Sequence, residues 1–399
     1  MSWIAYYSRH FLFLGGVKMC ECKYMQLALE NAKKGIGFVN PNPMVGAVIV
    51  KNGKIIGEGY HKKYGGLHAE RNALNNCSEN PKDATMYVTL EPCCHYGKTP
   101  PCTDAIIENK IKKVVIASLD PNPKMSGKSL DILKKRGIKV EKGLLENEGD
   151  KLNETFRKFI TTKKPFVLFK YAMTMDGKIA TKINESKWIT GEEARLNVQK
   201  TRHKYSGIMV GVDTVIIDNP MLNCKIENGL NPIRIICDTN LRTPIGSKIV
   251  STAKEIPTII ATCSDDEIKK EQYIEKGCEI LQIKIKKKKI DLQDLMSKLG
   301  EKKIDSILLE GGATLAWSAF ERGIVDKIQA YIAPKIFGGN GKTAVLGEGV
   351  DFPKDAIMLK NSEIFRFGDD FMIESDVTDR KSTRLNSSHI QKSRMPSSA

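Results

Sequence analysis

The feature that most constrains this chain lies between residues 61 and 102. It reads His68-Ala69-Glu70, then Glu91-Pro92-Cys93-Cys94-His95-Tyr96-Gly97-Lys98-Thr99-Pro100-Pro101-Cys102. One imidazole and two thiolates form a catalytic rather than a closed zinc set, because three protein ligands leave the fourth tetrahedral position to a water. Zinc lowers the pKa of that water to about 7, so hydroxide is available at neutral pH. Glu70, two residues from His68, has the place of a proton shuttle for that water. A cysteine taken alone is more often a small buried apolar residue. The metal reading rests on His68, Glu70, Pro92, Cys93 and Cys102 occurring together. Cys94 adjoins a ligand, and adjacent side chains point apart, so it is left out of the set.

The surrounding pattern places these residues on strand ends and helix starts. Met25, Leu27, Ala28, Leu29 and Ala32 give a helical period over Tyr24 to Lys34, ended by Gly35 and Gly37. Val45 to Val50, the turn Asn52-Gly53 and Ile55 to Tyr60 read as a hairpin. His68 opens a helix through Leu74, with Glu70 in its first turn. Met86 to Leu90 is a strand that delivers Cys93, and Thr103 to Asn109 a helix whose positive N-terminus stabilises the thiolates. Val114 to Ser118, Gly127 to Arg136 and Lys139-Val140 continue the strand-helix alternation, which predicts an α/β sandwich.

A His-x-Glu followed by Pro-Cys and a further Cys matches the general signature of zinc deaminases. That signature closes with two residues between its cysteines; here eight intervene. The insert reads as a loop at the rim of the site, with a His and a Lys suited to an anionic or polar substrate. The stretch resembles the deaminase half of the bifunctional riboflavin-biosynthesis deaminase-reductases, which have this long interval with Gly, Thr-Pro-Pro and Cys in this order. The resemblance implies a cytidine-deaminase-like α/β/α sandwich and a phosphoribosylated aminopyrimidine substrate. It implies Glu70 as the catalytic residue, and substrate contacts at Asn42, His61, His95, Lys98 and Asn122. For Asn42 and Asn122, turn chemistry before a proline is the other reading.

Leu152 to Ile160 reads as a helix, and the polar Thr161-Thr162-Lys163-Lys164 before Pro165 marks a domain boundary. Phe166 to Ala172 is a strand, and Met173 to Ile179 a turn with a return strand. A helix spans Glu192 to Lys204, a strand Gly207 to Gly211, and turns Asp213 to Pro220. Strands follow at Ile233 to Asp238, Thr258 to Thr262 and Ser306 to Glu310, and Asp351 to Asp376 completes the second sheet. The last of the three strands runs into Gly311-Gly312 and a helix, which makes either a phosphate cradle or a tight helix-strand packing. No Gly-x-Gly-x-x-Gly follows a strand, so a Rossmann site is not supported. Lys170 to Thr181, Ser186 to Thr190, Gly211 to Pro220 and Leu309 to Leu315 resemble the reductase half of the same family. That resemblance implies a dihydrofolate-reductase-like α/β fold and NADPH. Its cofactor contacts transfer to Ala172, Trp188, Thr214, Asp218, Thr239, Gly312, Ala313, Thr314, Leu315, Ala316, Trp317 and Ser318. Its substrate contacts transfer to Ser186, Arg202, Leu222, Lys225 and Glu310. Lys225 stands where an Arg is often found, which keeps the charge without the planar fork. For Trp188 a core position is the other reading. Lys170 and Asp218 are the candidate proton donors.

The resemblance as a whole implies a Zn²⁺-dependent pyrimidine deaminase at 19–163 and an NADPH-dependent reductase at 164–377. Residues 1–18 are read as an upstream extension, and 378–399 as a tail expected to be disordered. With 399 residues, 41% hydrophobic and 28% charged, two ordinary globular domains are expected. Ten cysteines without paired spacing read as reduced cytosolic thiols, hence a cytoplasmic enzyme. No apolar run approaches the ~18 residues of a membrane span. The net charge of +16 raises a nucleic-acid-editing deaminase as a competing class. Five of the excess bases sit in the tail after Asp379, and the run Lys284 to Lys289 has no interleaved aromatics for base stacking, so it reads as a solvated edge. A dihydrofolate-reductase-like enzyme with a decayed zinc module is a third class, opposed by the intact His68, Glu70, Cys93 and Cys102. The expected partner is a small phosphorylated pyrimidine, with no nucleic acid and no membrane. The resemblance further implies a homo-oligomer, dimer or tetramer.

Overall fold

The computed structural model describes residues 16–378 apart from Lys98 and Lys124. Residues 1–15 of the extension expected over 1–18, the tail from 379 and the assignment of Lys98 therefore lie outside the described residues, whereas 16–18 belong to the first helix rather than to an extension. The chain divides into two compact units between Thr162 and Lys163.

In the first unit, α1 (Gly16–Lys33) precedes β1 (Gly46–Lys51) and β2 (Lys54–Tyr60), then come α2 (Ala69–Asn75), β3 (Thr85–Leu90) and α3 (Cys102–Glu108). They are followed by β4 (Lys113–Ser118), α4 (Lys128–Lys135), β5 (Lys139–Lys142), α5 (Glu146–Leu152) and α6 (Glu154–Thr162). Its five-stranded sheet runs β2-β1-β3-β4-β5, with β1 antiparallel to both β2 and β3 and the other pairs parallel. Strand side chains alternate between faces. Ala47, Ile49, Met86 and Val88 pack with Ala69, Ala73, Ile106 and Leu133 on one face. Val48, Val50, Tyr87 and Val115 pack with Tyr24, Met25 and Ala28 on the other. A Cβ at Gly46 would overlap the Ala28 carbonyl, so only glycine lets α1 lie this close to β1.

Helix α1 begins before Met19, ahead of the expected start at Tyr24. The single helix expected over Leu152 to Ile160 is two, broken at Asn153. The Asn153 side chain leaves the helix ladder to bond Met44: it accepts from the Met44 N–H (2.8 Å) and donates to the Met44 carbonyl (2.9 Å).

The second unit contains β6 (Phe166–Thr174), α7 (Glu192–Lys204), β7 (Gly207–Gly211), α8 (Val212–Asp218), β8 (Ile233–Cys237) and α9 (Lys248–Ser251). Next come β9 (Thr258–Thr262), α10 (Glu267–Glu275), β10 (Glu279–Gln282), β11 (Ile285–Lys286), β12 (Lys289–Ile290) and α11 (Leu292–Glu301). The unit closes with β13 (Ser306–Leu309), α12 (Ala313–Glu321), β14 (Lys327–Ala333), β15 (Leu359–Phe367) and β16 (Asp370–Val377). The nine-stranded order is β10-β9-β8-β7-β13-β6-β14-β16-β15. It is parallel through β14 and antiparallel over β14-β16-β15. Apolar clusters line both faces of the parallel part.

Two expectations fail here. No return strand follows β6, because both its edges are already taken by β13 and β14. Residues after the turn leave the sheet, and the Ile179 N–H donates to the Lys342 carbonyl (2.8 Å). The segment 213–218 is helix α8 rather than turns, since Val212 and Val215 bury an i, i+3 pair and Asn219 ends the helix in the left-handed region (φ 39°). The lysine run forms the exposed hairpin β11–β12, with Lys287 and Lys288 at its tip, as expected of a solvated edge.

Candidate active sites

His68 is the N-cap residue of α2, Cys93 follows the end of β3, and Cys102 is the first residue of α3. His68 Nδ1 lies 3.4 Å from each sulfur. The three donor atoms all fall within 4.8 Å of one another. Tetrahedral zinc, with bonds of about 2.3 Å to sulfur and 2.0–2.1 Å to nitrogen, requires an N···S separation of about 3.5 Å. The donor set therefore fits zinc. Backbone geometry joins the two thiols: the N–H groups of Cys102 and Thr103 donate to the Cys93 carbonyl (3.0 and 3.2 Å), and the Cys102 N–H also reaches Cys93 Sγ (3.3 Å). The Cys93 thiol is drawn down to about 4, led by its hydrogen bond from Cys102 and helped by His68 against burial. Cys102 is pushed up, because its partner takes the first negative charge and burial disfavours a second. A divalent cation relieves that conflict and lets both sulfurs ionise.

Glu70 sits in the first turn of α2 and is buried (3% exposed). Burial first, and the Cys93 charge second, push its carboxyl up to about 7. His61, whose ring meets that of His68 edge-on (centroids 5.4 Å apart), is also buried, and burial lowers its imidazole. The Leu67 carbonyl, 3.0 Å from His61 Nδ1, can only accept. Nδ1 therefore carries the proton, and Nε2 accepts from Asn42 Nδ2 at 3.2 Å. This pairing takes Asn42 beyond simple turn chemistry. Asn122 does serve a turn: its N–H donates to Asp120 Oδ1 (2.8 Å) and its carbonyl accepts from Met125 and Ser126. His95 is exposed and close enough to act on the Asp120 carboxyl.

Three residues missed in the sequence hold this site. Arg71 donates to the carbonyls of Pro100 (3.3 Å) and Pro101 (2.8 Å), fixing the approach to Cys102. The buried Glu91 carboxylate accepts from the N–H groups of Asp120 (3.2 Å), Gly127 (2.9 Å) and Ser129 (3.2 Å) and from the Ser129 hydroxyl (2.8 Å). Asn153 clamps Met44, two residues past Asn42. The adjacency of Arg71 to Glu70 and of Glu91 to Pro92-Cys93 was the available signal; Asn153 gave none.

In the second unit, Arg202 on α7 meets Glu310 at the end of β13. Its Nη2 lies 2.6 Å from Oε2 and its Nε 3.4 Å from Oε1, while Nη1 donates to the Asn223 carbonyl (2.9 Å). This brings Arg202, Glu310 and the loop of Leu222 and Lys225 together. The Leu222 side chain is buried in the core, and Lys225 is exposed with its N–H on Gln199 Oε1. Lys170 on β6 is lowered by burial, with Glu310 acting in the opposite sense and Arg202 in the same one. Burial opposes ionisation of Glu310 as well, but Arg202 and Lys170 outweigh it and hold the carboxyl low.

Gly311 and Gly312 both have positive φ (105° and 84°), which only glycine adopts freely. A Cβ at Gly311 would meet the Thr214 side chain at 3.2 Å, and one at Gly312 would lie 3.4 Å from the Gly211 nitrogen. The turn thus sets α12 beside Thr214, with the first N–H groups of α12 free of helix partners. Ala316 is fully buried, and its N–H donates to the Gly312 carbonyl (2.8 Å), so that N–H and that carbonyl are taken up within the helix. Trp317 packs on Gly347, and Ser318 Oγ donates to the Thr314 carbonyl. Trp188 is 65% exposed beneath the Arg195 guanidinium, which rules out the core reading. Asp218 is exposed, and Ala172, Ser186 and Thr239 are half-buried.

Comparison with known proteins bears on both units. Residues 18–118 match the cytidine and deoxycytidylate deaminase zinc-binding region, and 165–373 match the RibD C-terminal domain. The riboflavin biosynthesis protein RibD of Actinobacillus pleuropneumoniae is 55% identical over 89% of this chain and 95% of its own length. The chain belongs to the RibD family. The RibD of Aquifex aeolicus is 42% identical over 90% of this chain and 98% of its own length. The Acinetobacter baumannii RibD structure superposes with a TM-score of 0.82 at 36% identity, covering 91% of this chain and all of that one. A Thermotoga maritima deaminase-reductase does so with 0.79 at 38% identity, again covering 91% and 100%. The chain is therefore a bifunctional deaminase and reductase of riboflavin biosynthesis, with zinc ligands His68, Cys93 and Cys102 and a reductase that uses NAD(P)H. Membership in this family sets aside both the editing class and the decayed-module class. No helix among the described residues is long and apolar enough to cross a membrane.

Proposed function

We propose that the chain deaminates a phosphoribosylated diaminopyrimidinone and then reduces the ribosyl group of the resulting 5-amino-6-(5-phosphoribosylamino)uracil to ribityl, the pair of activities for which the Thermotoga maritima enzyme is named. The deaminase is proposed to occupy 19–163 and the reductase 164–377, in a cytoplasmic homo-oligomer. The observation that carries the first step is the placing of Glu70, buried in the first turn of α2 two residues from His68 and beside the three donor atoms. Zinc, when bound, supplies an activated water. Glu70 takes the proton from the attacking water and returns protons to the ring nitrogen and the departing amine. His61 accepts from Asn42 Nδ2 and so leaves Asn42 Oδ1 free for the pyrimidine edge. His95 and Lys98 on the rim loop suit the phosphate, and Asn122 the ribose.

In the second step NADPH supplies hydride. Gly312 to Leu315, Thr214 and Trp188 bind the cofactor, and Arg202, Lys225 and Ser186 hold the substrate. Lys170 is the better proton donor of the two candidates: it is desolvated beside Glu310, whereas Asp218 is exposed. The test is Glu70→Gln in the zinc-loaded chain. Zinc content and NADPH oxidation on the deaminated substrate are expected to stay at wild-type levels while ammonia release falls by ~10² or more. Normal ammonia release would remove Glu70 from the mechanism.

A further inference from the structure

Beneath α7, a row of polar side chains crosses the second sheet. Strand side chains alternate between faces. Phe169 of β6 and Ile328 and Ala330 of β14 pack in the core on one face. Lys170, Gln329 and Tyr331 therefore point to the other, where Tyr331 and Met372 of β16 pack against Ala194 and Val198 of α7. The register sets Lys170 opposite Gln329, and Gln329 opposite Glu374. Leu309 pairs with Phe169, so Glu310 comes beside Lys170 on its other flank. Neighbouring strands lie about 4.8 Å apart. Glu310, Lys170, Gln329 and Glu374 thus form one row from β13 to β16.

Gln329 is buried, and only one end of its amide is used. Its Nε2 donates to Glu374 Oε2 at 2.8 Å, while Oε1 is buried with no hydrogen-bond partner among the described residues. A carboxylate only accepts, so Glu374 fixes which end of the amide faces β16. Glu374 is itself held by Lys327, whose Nζ lies 3.5 Å from Glu374 Oε1 and 3.5 Å from Asp376 Oδ1. A buried acceptor left unmade costs free energy, and a charged donor is the strongest remedy. Lys170 supplies one on the same face, one strand away, with its Nζ over the Tyr331 ring, 5.7 Å from the centroid. Its flexible four-carbon stem lets the ammonium move between neighbours. Burial disfavours that ammonium most; Glu310 of β13 favours it and Arg202 of α7 disfavours it. A neutral amide on the third flank favours the ammonium without the full pull of another carboxylate.

We propose that Gln329 is a positioning residue for the reduction: with its amide oriented by Glu374, its Oε1 accepts from the Lys170 ammonium and holds it protonated for transfer to the substrate. This rests on the reading of Lys170 as the proton donor. The test is the pH profile of kcat for NADPH oxidation on the deaminated substrate, measured on the zinc-loaded full chain. A proton donor works below its pKa, so wild-type kcat is expected to fall as pH rises through that of Lys170. Lys170→Met is expected to lower kcat by ~10² or more and to abolish the fall. Gln329→Met, of similar volume but without the acceptor, is expected to move the fall to lower pH by about one unit. Its KM for NADPH is expected to stay within about twofold, since the amide acts through Lys170. Glu374→Leu frees the amide to turn and is expected to move the fall the same way, and to add nothing in the Gln329→Met background. Isothermal titration with NADP⁺ checks the fold of each variant, and Glu374→Leu carries the test if Gln329→Met does not fold. An unmoved fall in Gln329→Met, with the fall absent from Lys170→Met, overturns the proposal and leaves Lys170 as donor. A fall that persists in Lys170→Met overturns both.

Discussion

Replacing Glu91 by Ala tests whether the deaminase site is held in place by one buried carboxylate. Four donors lose their acceptor: the N–H groups of Asp120, Gly127 and Ser129, and the Ser129 hydroxyl. Ser129 is fully buried, so its two donors cannot turn to water. Each unsatisfied buried donor costs about 1–3 kcal/mol, and each of the two more exposed N–H groups forfeits about 0.5–1.5 kcal/mol of net hydrogen bonding. The loss is then roughly 3–9 kcal/mol for the deaminase half, a large part of the ~5–15 kcal/mol that holds a typical domain. Glu91→Gln should fall between, since its amide keeps one acceptor and turns a donor toward N–H groups. Calorimetry of the zinc-loaded chain, with hydrogen exchange over α4, would read the stability. Deamination kinetics would read the Asn122 turn, whose loosening should raise KM more than it lowers kcat. A loss under about 1 kcal/mol with KM unchanged would refute the argument that Glu91 carries this turn.

Cys102→Ser should lower zinc per chain by elemental analysis and abolish ammonia release, while NADPH oxidation on the deaminated substrate persists; full zinc occupancy would move the third ligand elsewhere. Glu310→Gln should destabilise the reductase half by roughly 3 kcal/mol at neutral pH, because the buried Arg202 loses its partner. Arg202 and Lys170 hold the Glu310 carboxyl low. Its contribution is therefore complete above the unfolded value of about 4.3 and is lost as pH falls through the folded one. A pH series of unfolding midpoints should show a shallower acid limb in the variant, and parallel limbs would count against the pair.

Most of the zinc centre was legible because its ligands are chemically distinctive and sit on strand ends and helix starts, where local patterns are strongest. The helix over Glu192–Lys204 and the strands Gly207–Gly211 and Thr258–Thr262 have the expected boundaries, each bounded by turn residues. Where local chemistry misled, tertiary packing had decided. Asp213-Thr214 and Asp218-Asn219-Pro220 look like turns, yet Val212 and Val215 anchor a helix between them. Gly177 makes the expected turn after β6, but its would-be partner strand is displaced by β14, distant in sequence. The break at Asn153 depends on Met44, 109 residues away, which no local window contains. Arg71 and Glu91 were in view but act on main-chain groups across space, and main-chain acceptors and donors leave no mark in a sequence.

Each sheet draws its strands from one side of the Thr162–Lys163 boundary only. A lesion in one sheet or one constellation therefore has no strand through which to unpair the other. Among the described residues the two chemistries share a chain but not a sheet. Selection can tune or damage either reaction while the other keeps its own sheet and its own apolar core.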